Sequence, residues 1–133
     1  MEYLLDTNIC IYIIKKRPEK VLEKFNTLSL GEVAISSITL AELHYGIIKS
    51  SNPKKNQEAL DKFLTPLEIL EFDYFATVEY GKIRAVLENK GMPIGPLDTL
   101  IASVAMSRKM TLVTNNEREF IRIPDLKIEN WVK

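Results

Sequence analysis

The sequence predicts an α/β fold: a mostly parallel central sheet flanked by helices on both faces. Two observations predict it. Short apolar runs at 4–5, 32–36, 67–70 and 110–113 have strand length, and each is followed by a segment carrying helix signals. Strands that alternate with helices pair in parallel, and right-handed crossovers then place helices on both sides of the sheet. At 133 residues, with no internal repeat, low-complexity tract or long linker, the chain reads as one domain over residues 1–133.

Leu4-Leu5 opens a short strand that ends at Asp6, and a helix follows from Asn8 to about Lys15. Pro18 reads as the first residue of a second helix, where its missing N–H costs nothing. Glu32 to Ser36 is the second strand. Ser37 then reads as the N-cap of a helix over Ile38 to Ile48. Pro53 starts a helix that runs to about Leu64, and Leu67 to Leu70 is the third strand. Asp73 caps a longer helix, Tyr74 to Asn89, in which Ala76, Tyr80, Ile83 and Leu87 form one apolar stripe. Gly91 ends it, being tolerant of positive φ. Pro96 starts a helix over Leu97 to Arg108, and Met110 to Val113 is the fourth strand. Glu117 to Phe120 is a helical turn, Leu126 to Ile128 an edge strand, and the Trp131 ring packs against the body.

Composition excludes several classes. Hydrophobic residues make up 46%, which is too many for a disordered chain. No apolar run approaches the roughly 20 residues of a membrane helix, and the N-terminus does not read as a secretory signal. Cys10 lies in an apolar run and has no internal partner, so a buried inert thiol in a reducing cytoplasm is expected. Lys plus Arg and Asp plus Glu both total 18, for a net charge of zero. Bulk charge therefore does not mark nucleic-acid binding. Lys15, Lys16 and Arg17 form a local basic cluster, either a solvated surface or a set of phosphate contacts.

Three acidic residues stand in three separate apolar frames: Asp6, Glu42 and Asp98. A polar cluster, Thr114-Asn115-Asn116, follows the fourth strand. Each has a structural reading. Asp6 caps a helix, Asp98 suits a first helical turn, Glu42 is a solvated helix residue, and Thr114 and Asn116 are turn residues. In an open parallel sheet, however, all four positions fall at the carboxyl edge of the strands, where ligands bind. Carboxylates gathered there repel each other, and a hard cation such as Mg²⁺ or Mn²⁺ resolves the conflict. Metal-assisted phosphodiester chemistry is the expected use.

At these residues the chain resembles the PIN-domain ribonucleases, and among them the VapC toxins of toxin–antitoxin pairs. The resemblance is carried by Leu4-Leu5-Asp6-Thr7-Asn8, by Ser36 to Leu43, by Pro93 to Asp98 and by Leu112 to Phe120, with Arg122-Ile123-Pro124 and Glu129-Asn130-Trp131 also fitting. It spans essentially the whole chain. It extends to the enteric-type group, whose members cut initiator tRNA in the anticodon stem-loop. The likeness implies that Asp6 and Asp98 ligate the metal and that Glu42 completes the acidic centre. Asn116 stands where many PIN domains carry a fourth Asp, which leaves the fourth ligand open. Glu119, one turn later, is a substitute acid or an exposed helix-end residue. Thr114, Ser37 and Asn8 fit roles behind the carboxylates, orienting them by hydrogen bonds. A VapB antitoxin whose tail occupies the acidic groove, a homodimer and a higher toxin–antitoxin assembly are further implications. The helices near Pro18 and Pro53 are candidate dimer surfaces.

The expected activity is that of an Mg²⁺- or Mn²⁺-dependent endoribonuclease in which water displaces the 3′-oxygen, leaving a 5′-phosphate and a 3′-hydroxyl. Attack by the 2′-OH would call for a pair of acid–base groups, and His44 is the chain's one histidine, two residues from Glu42 and on another helix face. Zero net charge favours a structured RNA read by shape over indiscriminate degradation. Two other classes stay open: a non-catalytic PIN-like corepressor subunit, and a DNA-directed metal nuclease.

Overall fold

Five strands form one sheet in the computed structural model, which describes residues 2–29 and 31–133. They are β1 (Tyr3–Leu5), β2 (Val33–Ser36), β3 (Glu68–Leu70), β4 (Thr111–Val113) and β5 (Ile128–Glu129), and every pairing is parallel. The order across the sheet is β3-β2-β1-β4-β5. The chain lays β1 at the centre, steps outward through β2 and β3, then returns to build β4 and β5 on the other side. The order reverses between β1 and β4. The carboxyl ends of those two strands flank the crevice where open α/β sheets bind ligands.

The connecting helices among the described residues are α1 (Thr7–Lys15), α2 (Glu19–Asn26), α3 (Ser37–Ile48), α4 (Pro53–Leu64), α5 (Tyr74–Asn89), α6 (Pro96–Ser107) and α7 (Glu117–Phe120). The two-residue alternation of strand side chains splits the apolar residues into two cores. Leu4, Ala34 and Leu112 pack with Ile83 and Leu87 of α5 and with Ile101 and Val104 of α6. Leu5, Ile35 and Val113 point the other way, onto Ile9 of α1, Leu43 of α3 and Leu60 of α4. The register supports this division: Leu4 pairs with Ala34 and Leu112, and Leu5 with Val113. Leu5 is fully buried. Truncating it to Ala would cost about 2–5 kcal/mol and loosen the strand that carries Asp6.

Helix ends follow their local chemistry. Asp73 Oδ1 accepts from Ala76 N at 3.0 Å, as expected of a cap on α5. Gly91 closes that helix with φ 67°. Its N–H donates to Glu88, and the next N–H, of Met92, reaches back to Leu87. Pro96 occupies the first turn of α6, as predicted. Three expectations shift. Ser36, not Ser37, caps α3: its Oγ accepts from Thr39 N at 3.1 Å, and Ser37 is already helical. Pro18 stands just before α2 rather than inside it. The last strand is Ile128–Glu129, because the ladder to β4 forms there. Trp131 is buried edge-to-face against Tyr3, with ring centroids 5.7 Å apart.

Part of the apolar side of α2 and of α4 faces the sheet. Val21, Leu60 and Phe63 are spent on the second core, because two short helices must cover that face of the sheet. No helix of the described residues is long and apolar enough to cross a membrane.

Candidate functional site

Asp6 follows the last residue of β1 and caps α1, as its structural reading expects. Its Oδ1 accepts the N–H of Thr7 at 2.8 Å, and its Oδ2 accepts the hydroxyl of Thr114 at 2.8 Å. The residue is only 4% exposed. Burial pushes its carboxyl above the ordinary range. The bonds from Thr114 and Thr7 pull it partly back, and the charge of Glu42 adds to the rise.

Glu42 projects from α3, the helix that the Ser36 cap launches from β2. Its Oε1 accepts the Thr7 hydroxyl at 2.6 Å. The Thr39 hydroxyl lies 3.3 Å from that of Thr7. Thr39 is three residues before Glu42, hence on the same helix face.

Asp98 stands in the first turn of α6, where the helix dipole favours a carboxylate. Even so its pKa is pushed up to about 7. Burial is the largest cause, followed by the charges of Asp6, Glu119 and Glu42 and by a side-chain hydrogen bond with Glu119. The four carboxyls therefore feel one another across the crevice.

Glu119 is half-buried beside Asp98 and not an exposed helix-end residue. Asn116 holds it there. The Asn116 amide Nδ2 donates to Glu119 Oε2 at 2.8 Å, and the Asn116 backbone N–H donates to Thr114 Oγ1 at 2.9 Å. Thr114 thus joins the turn to Asp6. The other expected supporting residues do less. Asn8 is exposed, and neither Asn8 nor Ser37 makes a side-chain hydrogen bond among the described residues. His44 is half-buried and shows no such bond either. Lys15, Lys16 and Arg17 are exposed where α1 ends.

Among the described residues none of the four carboxylates has a cationic side chain as partner; the ion pairs present are Lys82–Glu79, Arg84–Glu88, Arg108–Asp73 and Lys133–Glu117. Nor do three His, Cys, Asp or Glu groups converge tightly enough to ligate an ion as they stand. A closed set made of Asp6, Glu42 and Asp98 is the simplest expectation from sequence. In the structure Glu42 accepts from Thr7, and Glu119 accepts from Asn116 while also bonding Asp98. The donor set still fits a hard divalent cation. It is all oxygen and acidic, and burial, with the neighbouring acids adding to it, raises the pKa of Asp6 and Asp98.

Two functional contacts escape a linear reading. Thr7 looks like an ordinary first residue of α1, and its bond to Glu42 spans 35 residues. Glu119 gains its place from Asn116, three residues earlier. In both cases an i, i+3 pair on one helix face, Thr39 with Glu42 and Asn116 with Glu119, is the signal that was present.

Beside this site lies a groove of about 310 Å³ between α1, α3 and α4, lined by Ile11, Ile14, Leu43, Ile47 and Leu60, with Glu42 and Lys15 also on its wall.

The PIN domain family model matches residues 3–126. The chain is 48% identical to the tRNA(fMet)-specific endonuclease VapC of Salmonella typhimurium, over 98% of both chains. It is 51% identical to the Ribonuclease VapC2 of Rickettsia felis, over the full length of both. It superposes with a TM-score of 0.92 on a chain of the VapBC2 crystal structure from Rickettsia felis bound to a DNA fragment from their promoter, at 50% identity and covering 98% of this chain and 99% of that one.

Proposed function

The chain belongs to the PIN-domain family, and on that premise we propose that it is an endoribonuclease toxin of the VapC type, acting as one domain over residues 1–133. The observation that carries the reading is the crevice at the β1–β4 switch point. Four carboxylates from four elements face one another there without a cationic side chain. A cytoplasmic RNA is the substrate class, and tRNA cut in the anticodon stem-loop is the specific reading. Its support is the 48% identity to a tRNA(fMet)-specific relative.

Asp6, Asp98 and Glu42 are the residues we assign to hold Mg²⁺ or Mn²⁺, with Glu119 as the fourth acid. Asn116 then serves as the amide that holds Glu119. A divalent cation bound there would lower the pKa of a water and offset charge on the phosphate. The remaining work falls to the chain. Thr114 and the Thr7 N–H fix both oxygens of Asp6. Asp98, pushed up to about 7, retains a proton near neutrality until positive charge replaces it. His44 takes no part. Lys15 lines the adjoining groove, and we assign Lys15, Lys16 and Arg17, exposed where α1 ends, to RNA phosphates.

That apolar groove is where we place the tail of a VapB antitoxin, since it leads to Glu42. A basic residue on that tail would supply the missing cation. A homodimer would draw on the helices near Pro18 and Pro53 or on exposed Tyr74, Phe75 and Val78 of α5.

The test is incubation of purified protein, freed of partner, with total tRNA and Mg²⁺, followed by sequencing of new 5′ ends. Discrete anticodon-loop cuts, absent with Asp6→Ala or EDTA, support the reading. Equal cutting by Asp6→Ala would remove it.

A further inference from the structure

Thr7 makes two different contacts with two different acids. Its backbone N–H donates to Asp6 Oδ1 at 2.8 Å, and its hydroxyl donates to Glu42 Oε1 at 2.6 Å. The residue is the first of α1, so its backbone is fixed by the helix that Asp6 itself caps. One residue therefore spans β1 and α3 and sets the spacing between their carboxylates. From this geometry we infer that Thr7 is a positioning residue, which holds Glu42 at a defined distance from Asp6 and so tunes the affinity of the acidic centre for its cation.

The chemistry supports a specific role for the hydroxyl. A hydroxyl carries one proton. At 2.6 Å, with an acidic acceptor, that proton belongs to the charge-assisted bond to Glu42. The neighbouring Thr39 hydroxyl, 3.3 Å away, is then left to donate to Thr7 Oγ1. The result is a short relay, Thr39 to Thr7 to Glu42, in which the β-branched Thr7 has few rotamers to choose from. Glu42 has no other side-chain hydrogen-bond partner among the described residues. Its carboxyl would otherwise sample the several rotamers of a long side chain, and ordering it would fall to the cation.

The inference rests on the metal-centred reading, and one set of variants separates the two. Thr7→Val keeps the side-chain shape and the N–H bond to Asp6 while removing the hydroxyl. Thr7→Ser restores the hydroxyl. Mn²⁺ affinity is read from the electron paramagnetic resonance signal of free Mn²⁺, with kcat and KM for RNA measured alongside. Thr7→Val is expected to bind Mn²⁺ about tenfold more weakly, at the lower end of what loss of a supporting hydrogen bond costs a metal site. At saturating Mn²⁺ its KM for RNA should be unchanged, and Thr7→Ser should recover most of the affinity. Wild-type affinity in Thr7→Val overturns the role of Thr7 alone, provided Asp6→Ala has lost binding. If wild type binds no Mn²⁺, or Asp6→Ala binds as wild type does, both readings fall. Thermal melting of each variant separates misfolding from loss of affinity. Should Thr7→Val not fold, Thr7→Ala replaces it, with Thr7→Ser again as the rescue.

Discussion

Asp6 and Thr114, 108 residues apart in sequence, share a 2.8 Å hydrogen bond. It crosses the point where strand order reverses, and so ties the carboxyl ends of β1 and β4 together. The same hydroxyl accepts the N–H of Asn116 and thereby organises the turn that carries Glu119. One buried threonine thus supports two of the four acids.

Thr114→Val should therefore destabilise the fold by about 1.5–3 kcal/mol at pH 8, the range for a lost hydrogen bond to a charged group. The bond to Thr114 lowers the Asp6 pKa, so its loss raises the folded-state value further. The penalty shrinks as pH falls through the carboxylate range and Asp6 takes up a proton. Urea unfolding at pH 8 and pH 4 reads both; an equal loss at the two pH values would contradict the assignment.

Asp98 gives cation-free protein a pH-dependent weakness. Its folded value of about 7 lies above the ordinary 3.8. Below about 3.8 both states are protonated and the group contributes nothing. Between those values the folded state keeps a proton that the unfolded state releases, so stability falls as pH rises; above about 7 the loss is complete. Melting in EDTA should show this decline. Asp98→Asn should abolish its share of the slope and melt higher than wild type above pH 7. Mg²⁺ should raise the wild-type melting temperature and leave Asp98→Asn nearly unmoved.

Glu119 and Asn116 divide one task. Glu119→Gln removes a charge next to Asp98, and should weaken Mn²⁺ binding and lower the Asp98 pKa. Asn116→Asp puts a second charge beside Glu119 and should raise that pKa instead. Titration followed by carboxyl NMR signals checks both directions. If Glu119→Gln left the Asp98 pKa unchanged, Glu119 would not be part of the centre.

Lys15, Lys16 and Arg17 replaced together by Ala should raise KM for RNA with Mn²⁺ affinity preserved. Losing three phosphate contacts should flatten the slope of log affinity against log salt by about 2. Binding measured at several salt concentrations tests this, and an unchanged slope would return the cluster to ordinary solvated surface.

Much of the fold is legible in sequence because its signals are local. Asp73, Pro53, Pro96 and Gly91 punctuate helices where they stand, and the strand runs are short and apolar. Asp6, Glu42 and Asp98 stand out for the same reason, each a charge inside an apolar frame. What is not legible is contact across the crevice. Nothing within a few residues of Thr7 indicates that its hydroxyl meets Glu42, and for Glu119 the sequence leaves open the choice between substitute acid and exposed helix-end residue, which its contact with Asp98 decides. The Ser36–Ser37 shift has a different origin. Two adjacent serines are equally good caps in isolation, and the end of the β2 ladder at Ser36 decides between them.

Placing the first strand at the centre of the sheet also sets an order of events during synthesis. Asp6 emerges from the ribosome 108 residues before its partner Thr114. A polypeptide stopped before β4 has β1 open along one side and three of its acids without the threonine that anchors the first. On the proposed reading, a growing toxin is harmless to the translation machinery that makes it until almost the last strand is in place. On the same reading a stop codon anywhere between Asp6 and Thr114 silences it.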